Sequence, residues 1–190
     1  TFYSRTAIAI QKVGNDEDGR IRFRSNVNAI YNELGVLKPS RVEFIEDFKS
    51  STRYSSSTKK KNLIRYILGR LEESRYPDQI VERPIDESIS IEHILPQKPD
   101  EYWSKTEEEV KDYVHLIGNL VLVGIGFNSS ARNYELERKI MALRETAIQT
   151  TSDLLNQIEQ DNSLIWTQIE IEERTKKLAE ISYDELWLNR

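Results

Sequence analysis

The sequence predicts a mainly α-helical fold with one embedded β-hairpin. Three observations lead there. Apolar residues recur at three- and four-residue intervals through most of the chain, the spacing of a helix with one buried face. Glycine and proline are scarce, at seven and five in 190 residues, which argues against a loop-built or fibrous protein. The helical pattern lapses only within residues 89–146, where two strand-like runs precede the next helix.

Taken in order, residues 1–22 carry no clear pattern, and 13–19 read as a polar turn. Ser25 is the expected cap of a helix bearing Val27, Ile30, Tyr31 and Leu34, with Gly35 as its end. Pro39 and Ser40 open a second helix, with Val42, Phe44, Ile45 and Phe48 on its apolar face. Ser55, Ser56, Ser57 and Thr58 form a cap or linker into a helix over 59–74, where Leu63, Ile64, Ile67, Leu68 and Leu71 fall at helical spacing. Pro77 and Pro84 break the chain. Residues 89–94 then alternate as a short strand, so that Glu92 and His93 face opposite sides unless a local bend intervenes. Trp103 anchors a short helix in an otherwise acidic stretch, and 120–123 form a second strand. A helix over 132–146 carries Leu136, Ile140 and Leu143. The remaining helices carry Leu154, Leu155 and Ile158, then Ile165, Trp166 and Ile169, then Leu178, Ile181, Leu186 and Trp187. This gives a helical N-terminal segment over 1–56 and a domain over 57–190 that holds the hairpin and its flanking helices.

Composition excludes several classes. There is no cysteine, so disulfides and thiolate-held zinc are out. No apolar run approaches the roughly 18 residues of a membrane span, and a cytoplasmic location is expected. The first residue is Thr1, not methionine, which suggests a piece of a longer protein. The net charge of −5 is awkward for a partner of phosphates, but distribution matters more than the sum. Residues 53–75 carry seven bases and two acids, whereas 153–190 carry nine acids and four bases.

The most informative stretch is Ile91-Glu92-His93-Ile94-Leu95-Pro96-Gln97, which contains one of only two histidines. Downstream come Gly118-Asn119-Leu120-Val121-Leu122-Val123 and then Phe127-Asn128. Phosphodiester hydrolysis needs a base for the attacking water, a cation for the charge that builds on phosphorus and the leaving oxygen, and a hold on the phosphate. A neutral imidazole suits the first role near pH 7. A carboxylate and an amide oxygen suit a hard divalent cation that keeps several of its waters. Glu92 and Asn128 supply that oxygen pair.

These residues resemble the ββα-metal core of HNH (His-Me finger) nucleases. They are most similar to the C-terminal HNH domain of GmrSD-like restriction proteins, which defend bacteria against phage. The likeness extends to Trp103, to His115-x-x-Gly118-Asn119-Leu120, to Asn128, to Lys139 on the next helix, and to Trp166 and Arg174. It covers about residues 57–187. The resemblance implies a metal-dependent DNA endonuclease or nickase using one divalent cation, Mg²⁺ or Mn²⁺. In it His93 is the general base, Glu92 and Asn128 hold the metal, and Asn119 bridges the strands and fixes the loop that orients His93. Lys139 and Arg132 meet the scissile phosphate or its neighbours, so that His93, Asn119 and Lys139 form the catalytic group. It also implies a nucleotide-hydrolysing, DNA-sensing N-terminal domain outside this chain. Glutamate stands before the histidine where many HNH sites have aspartate, one methylene shorter.

Each residue also has a plainer reading. An acid beside a histidine is commonly a structural pair, and asparagine is a favoured helix cap. His115 reads as a packed residue, and Trp103, Trp166 and Trp187 as core. Lys59, Lys60 and Lys61 are either a solvated helix start or a DNA-backbone patch. Two other functions compete: a non-catalytic nucleic-acid-binding module, and a helical protein-interaction domain working through its acidic C-terminal helices.

Overall fold

A computed structural model of the chain describes residues 5, 8–10, 14, 16–78, 89–124, 135–144, 146–160 and 164–186. The chain divides into two compact units, Thr1–Ser40 and Arg41–Arg190. The first contains α1 (Glu17–Leu37). Asp16, not Ser25, caps it, accepting a hydrogen bond from the Gly19 amide at 2.7 Å, and Glu17 and Asp18 add favourable charge to the first turn. The expected turn at 13–19 therefore feeds directly into helix. Gly35 does not end it; an internal glycine costs about 1 kcal/mol, too little to stop a helix of 21 residues.

The second unit is mainly helical with a two-stranded antiparallel sheet. Its elements are α2 (Arg41–Ser51), α3 (Thr58–Arg75), β1 (Ile89–His93), α4 (Glu107–Val110), β2 (Leu120–Gly124), α5 (Leu136–Leu143), α6 (Gln149–Gln160) and α7 (Gln168–Ile181). Short 3-10 turns lie at Glu101–Trp103 and Ile117–Asn119, and a π turn at Ser182–Leu186 follows α7. β1 and β2 pair with Glu92 opposite Val121 and His93 opposite Leu120. Residues 164–166, expected in a helix, run as irregular chain with Leu164 at φ 44°. α7 starts only at Gln168, where Thr167 and Glu170 form a reciprocal capping box.

The hairpin divides the core. Every residue from Leu120 to Val123 is buried. Leu120 and Leu122 pack with Ile89, α3 and Leu178, whereas Val121 and Val123 pack with Ile94, Leu95, Ile140 and Trp166. A strand covered on both faces reads as an unbroken apolar run, which is what 120–123 show. α3 buries Ile64, Ile67, Leu68 and Leu71, as its spacing requires.

α2 belongs to this unit. Phe44 lies 5.8 Å from Phe48 and 5.3 Å from Tyr183 between ring centroids. Arg41 pairs with Asp184 at 2.9 Å and Lys49 with Glu172 at 3.0 Å. Those exposed pairs contribute little; the rings supply most of the attachment. Val42, expected on the apolar face, is exposed.

Glu72 is buried although charged. Its two oxygens accept the Gln149 and Thr150 amides at 2.9 and 2.8 Å, so it caps α6 from another helix. Glu72→Ala leaves two helix N-terminal amides without an acceptor, and it should lower unfolding free energy by about 3 kcal/mol, measurable by urea titration.

Candidate functional site

The site is assembled at the C-terminal end of β1. The Asn119 side chain, fully buried, makes four hydrogen bonds there. Its Oδ1 accepts the Leu95 amide at 2.8 Å and the Trp166 indole N–H at 2.9 Å. Its Nδ2 donates to the carbonyls of Leu95 and Val114 at 2.9 and 2.8 Å. The Asn119 carbonyl also accepts the Ile94 amide at 2.9 Å. The turn that follows His93 is thus fastened to the turn that precedes β2.

α7 secures the same turn from behind. The Arg174 Nη1 donates to the carbonyls of Gly118 and Leu120 at 2.6 and 2.8 Å. Burial and the nearby Arg75 charge lower the Arg174 pKa to about 9, which still leaves it charged at neutral pH. The Thr175 hydroxyl accepts the Gly118 amide at 3.0 Å and donates to the Ile171 carbonyl at 2.8 Å. A Cβ on Gly118 would lie 2.0 Å from that carbonyl oxygen, so only glycine lets the turn approach α7 this closely.

His93, Glu92, Gln97 and Tyr54 line one cavity of about 370 Å³, together with Ile91, Pro96 and Lys98. Strand alternation alone would send Glu92 and His93 to opposite faces. His93 is the last residue of β1, where the chain bends away, and both residues line the cavity. The Gln97 amide lies 3.4 Å from His93 Nδ1. Nε2 is enclosed and has no hydrogen-bond partner. Nδ1 is the nitrogen that meets Gln97, another residue of the cavity wall.

The two histidines meet around Tyr54. The Tyr54 ring is edge-on to His93 at 4.7 Å and stacked on His115 at 6.0 Å, and the imidazoles are 5.6 Å apart. The Tyr54 amide donates to the His115 carbonyl at 2.8 Å. Arg53 donates to the carbonyls of Lys111 and Asp112, each at 2.6 Å, which pins this loop. His93 is 5% exposed. Desolvation foremost, then the charges of His115 and Lys139, lower its pKa to about 3. Burial also lowers that of His115.

Lys139 departs from expectation. It was placed at the scissile phosphate, but its side chain is 0% exposed and its ammonium lies 3.0 Å from Glu92 Oε1. The physical reason is the helical phase: Lys139 shares the inward face of α5 with Leu136, Ile140 and Leu143. Lys59 is exposed, Lys60 donates to the Ser51 carbonyl, and Lys61 lies 5.8 Å from the Tyr54 ring. The start of α3 therefore adjoins the cavity rim. Asn128 and Arg132 lie outside the described residues. Among the described residues no three His, Cys, Asp or Glu side chains cluster as a metal site, and no helix is long and apolar enough to cross a membrane.

Three contributors escaped the sequence reading. Tyr54 sits in a loop without a motif and no local signal marks it. Gln97 lay inside the motif, but its task shows only once the imidazole is placed. The indole N–H of Trp166, taken as core, also orients Asn119.

The family described as GmrSD restriction endonucleases, C-terminal domain, matches residues 38–181. No curated protein and no solved structure matches the chain.

Two outcomes follow from this geometry. Asn119→Ala strands the Leu95 amide and the Trp166 indole N–H in the core and should cost about 4 kcal/mol, read as a lowered midpoint in urea. The second concerns acid. The folded-state pKa of His93 lies below its ordinary 6.5, so the unfolded chain takes up the proton first as pH falls. Stability is full above about pH 6.5 and is lost between there and about pH 3. From pH 7 to pH 5 the loss from His93 is about 2 kcal/mol. His93→Gln should flatten that slope in unfolding titrations at the two pH values.

Proposed function

The chain belongs to the family of GmrSD restriction endonuclease C-terminal domains, and on that basis we propose that it hydrolyses DNA phosphodiester bonds with His93 as general base and one divalent cation. The observation that carries this reading is one cavity lined by both His93 and Glu92, with the His93 ring held neutral at pH 7 by burial. This is the ββα-metal, HNH-type reading of the hairpin, with α5 as its helix.

The donor set fits a hard cation in part. Glu92 lines a cavity of about 370 Å³, large enough for a hydrated ion and a phosphate group. Asn128 is the proposed second ligand. A cation bound there, Mg²⁺ or Mn²⁺, would stabilise the negative charge that grows on the phosphoryl and leaving oxygens.

The remaining chemistry belongs to the side chains. Nδ1 of His93 takes a proton from the attacking water. Its low pKa keeps the lone pair available at neutral pH, and the negative phosphodiester beside it favours the imidazolium as the proton arrives. Tyr54 and His115 fix the plane of the ring. Gln97 holds Nδ1 in the lone-pair tautomer until water replaces it. Lys59 and Lys61 at the start of α3, with Arg132, are proposed to carry the DNA backbone past the cavity, and Lys60 reinforces that end of the helix through the Ser51 carbonyl. Sequence choice is assigned to a nucleotide-hydrolysing, DNA-sensing domain of the longer restriction protein.

Supercoiled plasmid conversion tests this reading. The protein should nick plasmid with Mg²⁺ or Mn²⁺ and stop with EDTA. His93→Ala should lower the rate by at least about 10²-fold while leaving DNA affinity, read by gel shift, within about twofold. Metal-independent conversion, or full activity in His93→Ala, would overturn it. Equal DNA binding without any cleavage would favour the non-catalytic module.

A further inference from the structure

Lys139 is a buried cation at the carboxylate proposed to bind the metal. Its side chain is fully enclosed, Glu92 is 15% exposed, and Nζ and Oε1 are 3.0 Å apart. The same charge is felt at His93, so the ammonium lies within electrostatic range of both the base and the ligand. The α5 backbone holds it there: Lys139 sits between Leu136 and Ile140, and its neighbours Ile140 and Leu143 have no exposure.

Resting on the nuclease reading above, we propose that Lys139 is the resident counter-ion of Glu92 and competes with the divalent cation for that carboxylate. The pair sums to zero charge, so the free protein attracts a divalent ion weakly. Among the described residues no three His, Cys, Asp or Glu side chains cluster as a metal site. The missing negative charge is supplied by the DNA phosphate, and metal and substrate therefore bind with positive coupling. Such a site stays weakly loaded away from DNA, which restrains an enzyme able to cut its own genome.

The test is Mn²⁺ binding followed by calorimetry and by thermal unfolding, neither of which requires turnover. Lys139→Met should bind Mn²⁺ at least tenfold more tightly than the parent, and its unfolding temperature should rise more on adding Mn²⁺. Lys139→Arg, which keeps the charge and pairs with both carboxylate oxygens, should bind Mn²⁺ no more tightly than the parent. It also reports on the competition should the methionine variant fail to fold: Mn²⁺ affinity raised above the parent in Lys139→Arg would overturn it. Adding a short DNA duplex should tighten Mn²⁺ binding to the parent by a larger factor than to Lys139→Met. Equal Mn²⁺ affinity in parent and Lys139→Met would overturn the competition while leaving the nuclease reading intact. Absence of Mn²⁺ binding in every variant, with and without DNA, would remove both.

Discussion

The buried amide of Asn119 is the constraint on which the rest of the site depends. A primary amide offers two donors and a two-lone-pair oxygen, and here all are used on groups from three separate segments. In a core of low dielectric a fully satisfied polar group of this kind specifies one arrangement, because any slip leaves several groups unpaired at once. The arrangement specified is the position of the turn after β1, and hence of His93. Arg174, Thr175 and Gly118 serve the same purpose from α7. The chemistry at the cavity wall is thus held by residues that do not touch the cavity.

Burial and charge together shape the wall itself. His93 packs against Tyr54 and His115, and its Nδ1 meets the Gln97 amide. Desolvation keeps the ring neutral at pH 7. Glu92 lies 3.0 Å from the enclosed Lys139 ammonium. The hairpin makes Glu92 and His93 adjacent: it brings an acid and an imidazole to the end of a strand, where both residues line one cavity.

Much of the site was legible in the chain because its parts are local. The Glu-His-Ile-Leu-Pro-Gln run, the Gly-Asn-Leu strand start and the apolar stripe of α3 each declare themselves within a few residues. The resemblance implies that Asn119 fixes the loop orienting His93, and its side chain is hydrogen-bonded to Leu95, Val114 and Trp166. The burial of Lys139 was not legible, since a lysine in a helix is by default solvated, and only the phase of α5 turns it inward. The start of α1 at Asp16 was missed because glycine and acidic residues imitate a turn, while the same acids favour a helix N-terminus.

The sequence by itself determined the mainly helical class, the hairpin and the motif residues, since periodicity and short-range spacing are properties of neighbouring positions. Tertiary structure decided the rest. It set Tyr54 against the two histidines, gave Glu72 the N-terminal amides of α6 to cap, and enclosed Lys139 beside Glu92. These pairings join residues between 39 and 78 positions apart. Contacts at such separations depend on how whole elements pack, and local pattern carries no record of them.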